Sequence, residues 1–105
     1  MGYAAADALV EGSCNIAFGV NALGASTSGS LNVAIGQNTL AGLSSANYNI
    51  GIGNCTLGGA TLTGADNIAI GSDSSCLLTT GICNIAIGKS ALRASTTGCR
   101  NIAIG

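Results

Sequence analysis

One pentapeptide governs what this chain can become. It occurs as NIAFG at Asn15, NVAIG at Asn32, NIGIG at Asn49, and NIAIG at Asn67, Asn84 and Asn101, with spacings of 17, 17, 18, 17 and 17 residues. A fixed period of this length marks a repeat architecture, in which a unit buries its apolar surface only by stacking on its neighbours. The rest of the unit repeats as well. A small residue followed by leucine recurs at Ala22-Leu23, Thr39-Leu40, Thr56-Leu57 and Ala91-Leu92, with Ser74-Ser75 as the departure. A Ser/Thr pair before glycine recurs at Thr27-Ser28-Gly29, Thr79-Thr80-Gly81 and Thr96-Thr97-Gly98, while Ala46 replaces that glycine in the second unit. The one extra residue falls in the turn holding Thr61-Leu62-Thr63-Gly64.

Within N-I-A-I-G the two β-branched residues are two apart, so on a strand they share one face while Asn and Ala share the other. Five residues suit a strand, whereas a helix needs about ten or more. Glycine at the fifth position permits positive φ, and the glycine after the Ser/Thr pair is expected to do the same at a second corner. Seventeen residues are too few for a helical crossover between parallel strands. The chain is therefore read as an all-β parallel β-solenoid of about six coils, a single array over residues 1–105 with residues 1–14 as a partial coil. At ~4.8 Å per coil the rod would be about 29 Å long.

Stacking in register places Ile16, Val33, Ile50, Ile68, Ile85 and Ile102 in one apolar ladder. Phe18, Ile35, Ile52, Ile70, Ile87 and Ile104 form a second. These two ladders are expected to be the buried core. Asn15, Asn32, Asn49, Asn67, Asn84 and Asn101 are expected to form a structural amide ladder along the stack. The small column Ala17, Ala34, Gly51, Ala69, Ala86 and Ala103 reads as a close-approach surface for another chain, and an oligomer, a trimer, is inferred from it. Residues 2 to 105 span six whole periods, and Asn101–Gly105 reads as the first strand of a further turn, so the ends are expected to associate with another copy or to continue.

Composition narrows the function. Charged residues are 7% of the chain, against roughly a quarter in an ordinary soluble domain, and only 3% are aromatic. Three cations, Lys89, Arg93 and Arg100, make no footprint for nucleic acid. No stretch approaches the ~20 apolar residues of a membrane span, and MGYAAADALV lacks the charged and apolar regions of a signal peptide. There is no histidine, and Asp7, Glu11, Asp66 and Asp73 lie in different columns, so no acid–base pair can be argued. Lys89-Ser90 has no supporting motif, and Gly51-Ile52-Gly53 lacks the third glycine of a dinucleotide loop. No catalysis, cofactor or metal is expected.

Cys14, Cys55, Cys76, Cys83 and Cys99 form no C-x-x-C pair. They are read either as small buried hydrophobes or as disulfide partners in an oxidising setting, with at least one left free or paired to another chain. Cys14 and Cys83 share a column four coils apart, and Cys83 and Cys99 sit one position out of register. Cys55 and Cys76 lie on neighbouring coils at dissimilar positions, so no regular disulfide ladder is expected. Asn54-Cys55-Thr56 makes Asn54 a possible N-glycosylation acceptor. Thr27, Ser28, Ser44, Ser45, Thr61, Thr63, Thr79, Thr80, Thr96 and Thr97 form a hydroxyl column, read as turn residues or as an O-glycosylated stripe.

NIAIGKSALRASTTGCRNIAIG resembles the N-T-A-I-G-x-x-A-L-x-x-x-T-T-G-x-x repeats of trimeric bacteriophage tail fibres, which are similar to the S-V-A-I-G head repeats of trimeric autotransporter adhesins. The likeness covers nearly the whole chain, and the 17-residue period is closer to the phage type. It implies a trimeric, left-handed parallel β-roll outside the cell, on a cell surface or on a virion. The expected role is a rigid fibre shaft or filament segment, with self-association as a homotrimer or head-to-tail filament. An adhesin head that binds glycan, matrix or a host receptor through its outer face is the alternative, and an ice-binding solenoid ranks below it. The five cysteines depart from both patterns.

Overall fold

Each pentapeptide holds a three-residue strand at its centre: β1 (Ile16–Phe18), β2 (Val33–Ile35), β3 (Ile50–Ile52), β4 (Ile68–Ile70), β5 (Ile85–Ile87) and β6 (Ile102–Ile104). The computed structural model describes residues 2–105, and there is no helix among them. The six strands form one parallel sheet in the order β1-β2-β3-β4-β5-β6, each paired with the next coil's copy of itself. Register is unbroken: Ile16, Val33, Ile50, Ile68, Ile85 and Ile102 are successive partners, as are the residues that follow them. The chain is thus a β-solenoid with a 17-residue period, and its longest dimension is 32 Å against 20 and 19 Å across.

The extra residue of the third coil leaves the strands in step. Gly59 N–H still reaches the Cys76 carbonyl 17 residues on, whereas Thr63 N–H reaches the Thr79 carbonyl 16 residues on. The insertion is therefore absorbed between these two points, in the turn where it was expected.

The assignment of faces is reversed from expectation. Asn and Ala do share a face, but it is the inner one. Ala34, Ala69 and Ala86 have no exposed surface and Asn32, Asn49, Asn67 and Asn84 at most 1%, while Ile35 and Ile87 remain 37% exposed. The core is made instead by Leu23, Leu40 and Leu57 and by a second column, Leu43, Leu62 and Leu78, packed against Ala22, Ala34 and Ala69. The reason is width. A side chain added at Gly51 would already bring its Cβ within 2.7 Å of Thr39 Cγ2, so opposite the leucines there is space for a methyl group at most. The small column is the coil's own interior and not a surface for another chain.

So narrow a coil demands tight corners. Leu23, Leu40 and Leu57 adopt φ of 52–55°, as do the residues two places earlier, Asn21, Asn38 and Cys55, at 55–56°. A left-handed conformation costs a leucine roughly 1–2 kcal/mol. Full burial of its side chain contributes roughly 1.5–3 kcal/mol, so the leucine is held there by a modest margin.

The two glycine columns do different work. Gly71, with φ +120°, is in a region that residues with a Cβ rarely enter, and its added Cβ would lie 2.7 Å from the Gly88 carbonyl carbon and oxygen. Gly29 and Gly81 have no positive φ; the expectation that they would is corrected. They are small because the next coil crosses them: a Cβ on Gly29 would sit 2.6 Å from the Ala46 carbonyl oxygen and 3.1 Å from Leu43 Cδ2. Gly71→Ala is expected to destabilise the fold by about 2–4 kcal/mol, because strained φ and contact with rigid backbone add. Thermal unfolding followed by circular dichroism would show a midpoint lowered by roughly 10 °C or more, and an unchanged midpoint would contradict this account.

Candidate functional site: an apolar strand face and a thiol cluster

Turning the small residues inward leaves the large apolar pair of every strand outward. Ile16, Phe18, Ile102 and Ile104 are 55–75% exposed, and the rungs between are half-buried, with Ile35 and Ile87 at 37%. The twelve apolar side chains make a strip two side chains wide and about 24 Å long. No charged residue lies within it. Leu31 and Tyr48, two places before Val33 and Ile50, are exposed too. Isolated surface isoleucines are ordinary, but a contiguous apolar strip is the mark of a contact surface.

The asparagine column behaves as a clamp. Asn67 Nδ2 donates to Asn49 Oδ1 at 3.1 Å, to the Gly81 carbonyl at 2.9 Å and to the Ala65 carbonyl at 3.1 Å. Its Oδ1 accepts from Asn84 N–H at 3.0 Å and from Asn84 Nδ2 at 3.1 Å. The link from backbone N–H to the previous Oδ1 runs through Asn15, Asn32, Asn49, Asn67, Asn84 and Asn101 at 2.9–3.0 Å. An amide has two donors and one oxygen to offer, and in Asn67 all are engaged, leaving nothing for a ligand.

Asn54 is exposed, with its Nδ2 3.4 Å from Gln37 Oε1, whereas Thr56 is buried and donates its hydroxyl to the Gly53 carbonyl at 3.1 Å. In the hydroxyl column Thr79 donates to the Thr96 carbonyl at 3.0 Å and Thr63 to the Thr79 carbonyl at 3.3 Å, which are turn contacts between coils. Ser74 donates to the Ala86 carbonyl at 3.0 Å.

The arrangement missed in the sequence is at the corner after β3 and β4. Cys55 and Cys76 bring their Sγ atoms to 2.9 Å, with the Asp73 carboxylate beside them. Cys55 turns the corner at φ 55°, and Asp73 stacks over it on the next coil at φ 60°, its N–H reaching the Asn54 carbonyl. Cys76 then enters the gap over Gly59, where an added Cβ would stand 2.5 Å from its sulfur. Burial pushes the Cys55 thiol up to about 11, helped by its contact with Cys76 and by the Asp73 charge and opposed by Arg93. Cys14, Cys83 and Cys99 are exposed.

No pocket opens among the described residues, and no helix is long and apolar enough to cross a membrane. Comparison with known protein families, with curated proteins and with solved structures finds no match to this chain.

Proposed function

We propose that this chain is a rigid, non-catalytic segment of a homotrimeric fibre on a virion or cell surface. The observation that carries the reading is the apolar strip along the strand face, which runs through all six strands without a charge. A strip formed by repetition is matched in spacing by only one obvious partner, another copy of itself, because both advance by one strand spacing per coil. Three copies turning their strands to a common axis remove both isoleucine ladders from water, and the resemblance to trimeric fibre repeats supplies the number three. Backbone bonds running coil to coil along a narrow rod give stiffness, and the low charge and absence of histidine suit a shaft better than an enzyme. Sedimentation equilibrium is expected to give a single folded species of three chains. A stable folded monomer at micromolar concentration would overturn the proposal.

A further inference from the structure

We propose that Cys55 and Cys76 are an intrachain cross-linking site, closing a disulfide between the third and fourth coils by exchange with a small-molecule disulfide such as oxidised glutathione. The sulfurs are 2.9 Å apart across the corner, and a covalent bond at 2.03–2.05 Å needs an approach of less than about 1 Å. A tetrahedral metal bound at ~2.3 Å would hold two thiolates about 3.7 Å apart, farther than they stand here. Among the described residues the one other group in the cluster is the Asp73 carboxylate, which leaves a closed four-ligand site incomplete.

The cluster also lies where the repeat is least regular. The third coil carries the extra residue between Gly59 and Thr63, and the fourth places Ser75 where the coils on either side of it have Leu57 and Leu92. In the first two coils the corner column is joined by an amide pair, Asn21 Nδ2 to Asn38 Oδ1 at 2.9 Å. Cys55 interrupts that column, and its sulfur faces Cys76 instead.

The chemistry divides between the two thiols. Cys55 is partly exposed and Cys76 is 5% exposed, so Cys55 meets the oxidant first. Its thiolate attacks one glutathione sulfur, forming a mixed disulfide and releasing one glutathione thiolate. Cys76 loses its proton and attacks Cys55 Sγ, breaking the mixed disulfide and releasing the second. The two protein thiols give up two electrons and two protons, and the glutathione disulfide becomes two thiols. Desolvation of Cys55 makes the first step slow and also makes it a poor leaving group, so the closed bridge opens slowly.

The test uses the full chain with the exposed Cys14, Cys83 and Cys99 changed to serine, reduced and then incubated with oxidised glutathione. Peptide mapping is expected to find Cys55 joined to Cys76 within one chain, with loss of two hydrogens in mass, no retained glutathione and a melting midpoint raised by roughly 10 °C that dithiothreitol reverses. Cys76→Ser is expected to stop at the glutathione adduct on Cys55. A wild-type pair that also stops at the adduct, or shows no reaction in the folded state, would overturn the proposal. So would stoichiometric binding of zinc alone that blocks cross-linking, since that would make the cluster a metal site.

Discussion

Asn67→Ala is expected to cost about 3–6 kcal/mol, enough to unfold much of a protein whose whole stability is of the order of 5–15 kcal/mol. The side chain is 1% exposed and joins three consecutive coils. Removing it strands the Asn84 N–H, which has no other partner among the described residues, and the Gly81 carbonyl, which loses its 2.9 Å donor. Each buried group left unpaired costs about 1–3 kcal/mol, and the small void adds to it. Asn84 Nδ2 keeps its bond to the Gly98 carbonyl, so the damage is confined to one rung. Asn54→Ala is the control: an exposed amide with a single 3.4 Å contact, expected to change stability by less than about 0.5 kcal/mol. Urea titrations of the two variants decide the matter, and equal midpoints would mean that the amide column is not what clamps the coils.

What repetition could reveal was the period, the strands, their register and the asparagine column, because each follows from spacing alone. What it could not reveal was which face is inside. Alternation along N-I-A-I-G separates isoleucines from Asn and Ala without saying which pair meets solvent, and size suggested isoleucine for the core. That choice fails because the interior is too narrow at Gly51 and because the inward amide of Asn67 finds three partners. The Leu43, Leu62 and Leu78 column is not legible as a repeat because Ser26 and the third-coil insertion break its pattern in the sequence. Cys55 and Cys76 lie three register positions apart in the sequence, yet the chain turns a corner between those positions, so neighbours across the corner look unrelated when the repeats are stacked column on column.

The face assignment also fixes where assembly should be broken. Ile68→Glu together with Ile70→Glu places two carboxylates on the outward side of β4 and leaves the leucine core and the asparagine clamp untouched. In a free chain both carboxylates are hydrated, and the loss of β-propensity costs about 1 kcal/mol or less. In a trimer closed on the strand faces, six carboxylates would gather near one axis with no cation opposite, since Lys89, Arg93 and Arg100 all lie outside the strands. Unpaired charges taken out of water cost several kcal/mol each, so association should weaken by about 1,000-fold or more. The expected result is a folded monomer: a strand-rich circular dichroism spectrum like that of the parent, and one third of its mass in sedimentation equilibrium. Thr80→Glu, on the exposed hydroxyl corner away from the strands, should leave the proposed trimer intact. If the corner variant dissociates and the strand variant does not, the chains meet at the corner, and the apolar strip has some other occupant.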